Sequence, residues 1–198
     1  MENITVSVTF RPEWNYPFID VTRNDWFYTY VRWAHENGIM KGTSDDMFSP
    51  DDALTRAMLV TILWRAEGEP AAGETGFDDV AADSYYAEAV AWAEANGIVK
   101  GYSETEFAPD DNILREQIAA IMYRYAGYKG YDISAGESTN IRSYTDAESI
   151  SEYAVPAMKY AVGSGLIKGK SDTTLDPQAN ATRAESATIL QRFIDANK

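Results

Sequence analysis

Three arginines stand where a helix would not of itself choose a cation. Arg56, Arg115 and Arg183 open the segments RAM, REQ and RAE, each in a predicted first helical turn. The positive end of the helix dipole disfavours a cation there. A guanidinium held at such a place wants an anion, which its planar fork can bond at two points. Two kinds of partner satisfy that need: an internal carboxylate such as Asp20, Asp79 or Asp146, or the acid group of a ligand. The remaining positive charge is also ordered. Nine of the 17 basic residues fall at three corresponding places: Lys41, Lys100, Lys168; Arg56, Arg115, Arg183; Arg65, Arg124, Arg192. The last three sit near predicted helix C-termini, where the dipole accounts for them without a ligand. Of the 31 acids only Asp20, Asp79, Asp146 and Asp45, Glu104, Asp172 recur in this way.

Catalytic chemistry finds little to work with. His35, the single histidine, stands in WAHENG, and Glu94 and Val162 occupy the corresponding places. A serine triad or a histidine metal pair would rest on this residue alone; a half-exposed residue favoured by a helix C-terminus accounts for it. No carboxylate pair is singled out for glycosidase-like acid catalysis. The oxygen-rich loops TSDDMFSPDD and KSDTTLDPQA lack the spacing of a calcium hand. Cysteine is absent, so thiolate metal sites and disulfides are excluded. A net charge of −14 gives no overall attraction to nucleic acid or anionic lipid. No apolar run approaches the roughly 18 residues that suggest a membrane span.

The elements that must position these residues are written three times. Gly38–Pro50 (GIMKGTSDDMFSP) recurs as GIVKGYSETEFAP from Gly97 and as GLIKGKSDTTLDP from Gly165, displaced by 59 and then by 68. The longer interval carries its extra residues in GYKGYDISAGESTNIRS, before Tyr144. Each copy reads as helix, loop, helix. Phe27, Tyr30, Val31 and Ala34 share one helical face, as do Tyr86, Ala89, Val90, Ala93 and Ala154, Ala157, Met158, Ala161. The phrase between the helices is a connector: its glycines permit positive φ, its proline ends the extended stretch, and Phe48, Phe107 or Leu175 plugs it onto the core. Thr182 and Glu185 form a capping box; Met58 breaks it in the first copy, and Leu114 cannot cap in the second, where Gln117 remains. A unit of about 59 residues is marginal alone, so three units should share one core. The expected fold is all-α, three helix-loop-helix repeats at 18–68, 77–127 and 144–193 in a pseudo-threefold assembly. Residues 1–17 read as a strand and linker: Ile4, Val6, Val8 and Phe10 alternate with polar residues over Asn3–Phe10, a strand that either pairs locally or hangs free, or is the last strand of a preceding domain.

FIDV and FDDV, Trp26 or Tyr85, the WA pairs, GI-x-KG and TRAE together resemble surface-layer homology repeats, and YTDA, Tyr153 and YAVGSGLIKG continue the match in the third copy. The resemblance covers about residues 18–193 and implies a non-catalytic anchor without cofactor or metal. Its partner would be a secondary cell-wall polysaccharide, often carrying pyruvylated N-acetylmannosamine, bound in grooves between repeats. The family's pocket residues map onto Asp20, Asp79 and Asp146, onto Trp26, Tyr85 and Tyr153, onto loop positions around Gly42, Gly101 and Gly169, and onto Arg56, Arg115 and Arg183. The implied location is the bacterial cell surface, with no membrane insertion and no nucleic acid; the leader and at least one further domain are expected in a longer parent. The alternative is a helical module for protein–protein contact or self-association in a surface array, without glycan.

Overall fold

A computed structural model of the chain describes residues 16–197; the expected strand Asn3–Phe10 lies outside them. The first copy supplies α1 (Tyr28–Glu36) and α2 (Arg56–Ala66), the second α3 (Ala87–Ala95) and α4 (Arg115–Tyr128). The long connector forms a short α5 (Ala135–Ser138), and the third copy supplies α6 (Val155–Gly163) and α7 (Arg183–Ala196). The described residues contain isolated β-bridges but no sheet.

Local chemistry sets the helix ends. Gly38, Gly97 and Gly165 follow α1, α3 and α6 with φ of 69°, 66° and 74°, the left-handed stop that glycine adopts without a Cβ penalty. Thr182 Oγ1 accepts from Glu185 N while Thr182 N donates to Glu185 Oε2, completing the capping box. Thr55 Oγ1 accepts from Met58 N, and Leu114 N donates to Gln117 Oε1, so the other two copies each keep half of it.

The second glycine of the phrase works differently from the expectation of positive φ. At Gly42, Gly101 and Gly169 a Cβ would overlap backbone oxygens of the same loop and press on the ring of Phe18, Phe77 or Tyr144. These positions need glycine for closeness. The left-handed φ falls instead on Ser49 (55°), Ala108 (57°) and Asp176 (54°), each directly before the proline.

The helix pairs of the sequence repeats are not the packing pairs. α3 lies on α2, α6 on α4 and α1 on α7, so the first helix of each copy packs against the second helix of the copy before it. The third copy thereby closes on the first. At the centre the closure is a cycle of backbone hydrogen bonds: Leu54 N to Ala181 O (2.9 Å), Ala181 N to Ile113 O (2.9 Å) and Ile113 N to Leu54 O (2.8 Å). Around it, the first two amides of each second helix donate to the next copy's loop. Arg56 N and Ala57 N reach Asp111 O and Pro109 O; Arg115 N and Glu116 N reach Ala179 O and Pro177 O; Arg183 N and Ala184 N reach Asp52 O and Pro50 O. Donors that a helix start leaves orphaned become the joints between copies. Buried apolar side chains of all three copies form one cluster, with Phe48, Phe107 and Leu175 fully enclosed. Each of these plugs contributes about 2–3 kcal/mol of burial.

Candidate functional site

The three recurrent aspartates act inside their own loops. Asp20 accepts from Phe48 N (2.9 Å) and Ser49 N (2.7 Å). Asp79 accepts from Phe107 N and Ala108 N, and Asp146 from Leu175 N and Asp176 N. In every copy the carboxylate therefore holds the amide of the left-handed residue and that of the plug before it. A non-glycine residue at positive φ costs roughly 1–2 kcal/mol, and two charge-assisted bonds offset it. Partial burial raises the Asp146 carboxyl, but the amides of Leu175 and Asp176 outweigh it and hold the group below its ordinary value.

The three arginines are buried, with 4%, 4% and 7% of Arg56, Arg115 and Arg183 exposed. Their partners are neither the aspartates nor another side chain in the main, but carbonyls of the next copy. Arg56 Nε and Nη2 donate to Phe107 O (2.8 Å) and Lys100 O (3.1 Å). Arg115 reaches Leu175 O and Lys168 O (both 2.9 Å), and Arg183 reaches Phe48 O and Lys41 O (both 2.8 Å). The guanidinium also lies over the plug ring where that is aromatic, 4.7 Å from Phe107 for Arg56 and 4.7 Å from Phe48 for Arg183. Tyr102 covers Arg56 from a second side at 4.6 Å. Carbonyls satisfy the donors without neutralising the charge. Burial lowers the Arg56 and Arg183 pKa, the mark of a cation short of compensating charge, and neither makes an ion pair among the described residues. Arg115 differs: its Nη1 lies 3.5 Å from Glu185 Oε1, a carboxylate that Lys170 also holds.

Each arginine floors a groove, and each groove draws on all three copies. Arg56, the Lys100–Tyr102 loop with α4, and Tyr153 line a groove of about 720 Å³. Arg115, the Leu166–Lys170 loop with α7, and Trp26 line one of about 340 Å³. Arg183, the Met40–Thr43 loop with α2, and Tyr85 line one of about 380 Å³. The expected site residues are thus regrouped: Arg56 meets Gly101 and Tyr153, Arg115 meets Gly169 and Trp26, and Arg183 meets Gly42 and Tyr85. The aromatics are exposed, as a platform for a ligand must be. None of Asp20, Asp79 and Asp146 lines any of the three grooves.

Other groove residues escaped the sequence reading. Arg124, Arg192 and Arg65, explained there by the helix dipole, line the grooves of Arg56, Arg115 and Arg183 respectively, so each groove holds a second guanidinium. Their threefold recurrence was the available signal. Tyr102 had none, since Thr43 and Lys170 take its place in the other copies. Glu116, almost fully buried, accepts from Ser151 N (2.9 Å), Ser151 Oγ (2.7 Å) and Tyr153 OH (3.3 Å) and so sets the Tyr153 wall. Alanines, Ala57 and Ala184, hold its position elsewhere.

His35 is half-buried with its ring edge-on to Phe18 at 4.8 Å. Among the described residues no group of three or more His, Cys, Asp or Glu could hold a metal ion, and no helix is long and apolar enough to cross a membrane.

Comparison with known proteins finds a family model described as "S-layer homology domain" matching three times, at residues 17–57, 76–119 and 143–187. An endoglucanase from Bacillus sp. (strain KSM-635) is 36% identical over 180 residues, 90% of this chain and 19% of the relative. A surface-layer 125 kDa protein of Lysinibacillus sphaericus is 32% identical over 161 residues, 80% of this chain and 13% of its own length. A cellulosome-anchoring protein of Acetivibrio thermocellus is 28% identical over 162 residues, 79% of this chain and 35% of the relative. The chain spans about a third or less of the length of each of these relatives.

Proposed function

The chain belongs to the S-layer homology domain family, and from that premise we propose that it is a non-catalytic module that holds an exported protein on a bacterial cell wall. Its ligand is an anionic wall polysaccharide, with pyruvylated N-acetylmannosamine as the terminal sugar, bound in the grooves between copies. The observation that carries this reading is the threefold recurrence of a groove floored by a buried guanidinium and walled by an exposed aromatic ring. A pyruvyl ketal offers a carboxylate to that cation, and the ring packs against the C–H face of the sugar. The printed names of two relatives, one a surface-layer protein and one a cellulosome-anchoring protein, agree with a surface role. The enzyme-named relative shares only 19% of its length with this chain, which fits a module appended to an enzyme.

The net charge of −14 opposes binding of an anionic polymer. Screening over about 8 Å at physiological salt confines that repulsion, and the Arg183 groove presents Arg183, Arg65 and Lys41 with no acid among its lining residues.

The test is co-sedimentation with purified wall sacculi before and after chemical removal of the wall polymer. Binding should be lost on stripping, and retention on stripped sacculi would favour a protein–protein role. Arg183→Ala should weaken binding at the groove between the first and second copies by about 10- to 150-fold, from roughly 1.5–3 kcal/mol per charge-assisted bond. The same change strips Phe48 O and Lys41 O of their donor, so affinity must be compared per folded molecule, with a melting curve beside each titration.

A further inference from the structure

The Arg56 groove is about 720 Å³, roughly twice its counterparts at about 340 and 380 Å³. It lies on the seam between the second and third copies, the seam spanned by the longer connector. That connector folds into α5, which packs on α6; Gly136 brings it so close that a Cβ there would stand 3.1 Å from Tyr160 N. Between α5, α6 and α4 it opens a second cavity of about 310 Å³. Tyr123 and Pro156 line both spaces, so the cavity adjoins the groove across these two side chains.

The walls of the cavity suit a sugar ring. Tyr123, Ile133 and Pro156 supply apolar surface, while Glu137 offers a hydroxyl acceptor and Lys159 a donor. Neither charged side chain makes an ion pair or side-chain hydrogen bond among the described residues, so both are available. Building on the wall-glycan reading above, we propose that this seam binds two or more consecutive sugar residues. The acid-bearing residue lies over Arg56, and the next enters the cavity between Glu137 and Lys159. The other two seams lack the α5 wall and take a single residue each. The first and second copies are joined by the shorter stretch EPAAGETG, which forms no helix.

The experiment titrates the isotope-labelled full chain with a synthetic pyruvyl-ketal monosaccharide, and then with a trisaccharide ending in the same residue. Amide signals report which groove responds. At this seam the monosaccharide should perturb only residues around Tyr102 and Arg56, beside responses in the other two grooves; the trisaccharide should extend the response here to Ile133, Glu137 and Lys159 and bind about tenfold more tightly at this seam. The double variant Glu137→Ala, Lys159→Ala should abolish that gain and leave monosaccharide binding unchanged. Equal footprints and affinities for the two glycans would overturn the extended site while leaving the wall-glycan reading intact, as would a gain that survives the double variant. No response to either glycan would overturn both.

Discussion

At the scale of single residues, the aspartates and arginines exchange the roles their types suggested. The aspartates bind backbone amides and the arginines backbone carbonyls, so the loops are held from both sides by charge. Asp146 makes a pH prediction. Its folded pKa is depressed below the ordinary value of 3.8 by the amides of Leu175 and Asp176, after burial has been overcome. The stability it contributes is present above the unfolded value and is lost as pH falls through the folded one. Wild type should therefore lose stability as pH falls below the ordinary value of 3.8, and Asp146→Asn should show a shallower loss over the same fall. Thermal melts across the range check it; parallel curves would mean the carboxylate is not coupled to folding. The aspartate and arginine recurrence was legible in the sequence because side chains carry it. Their partners were not, because a backbone carbonyl or amide exists at every residue and leaves no mark in a list of side chains.

At the scale of the element, the connector phrase uses its two glycines for different physical ends. Gly97 has φ +66° and open space around it, so Gly97→Ala should cost about 1–2 kcal/mol, the left-handed penalty alone. At Gly101 a Cβ would meet the carbonyl oxygens of Ser103 and Glu106, which cannot move without opening the loop that seats Phe107. Gly101→Ala should cost about 3 kcal/mol or more. Denaturant unfolding of the two variants should rank them in that order, and the reverse rank would defeat the steric assignment. The sequence marked both glycines by recurrence, and Phe48, Phe107 and Leu175 as plugs by their apolar type amid polar loops. It could not separate closeness from handedness, since glycine answers both.

At the scale of the whole molecule, the helices and the shared core were readable from a 3.6-residue period, but the pairing of helices was not. Three similar copies present nearly equivalent apolar faces, and periodicity does not say whether α1 turns to α2 or to α7. The choice of α7 means that no copy is complete by itself. A chain ending at residue 181 loses α7, the Arg183 donors to the first copy and the cover of α1. It should show no cooperative melt, because the loss extends to the first copy as well as the third. A cooperative transition retaining about two-thirds of the helical signal would show independent units instead. The central cycle of Leu54, Ile113 and Ala181 also bears on heredity. Each copy donates at one edge and accepts at the other, so a gene that drops one copy leaves a strip with an unmet donor edge and an unmet acceptor edge. Unequal exchange between such similar stretches is a ready source of gain and loss. Descendants of this ring that still fold should therefore inherit its copies as a set of three, with insertions confined to connectors such as the one that carries α5.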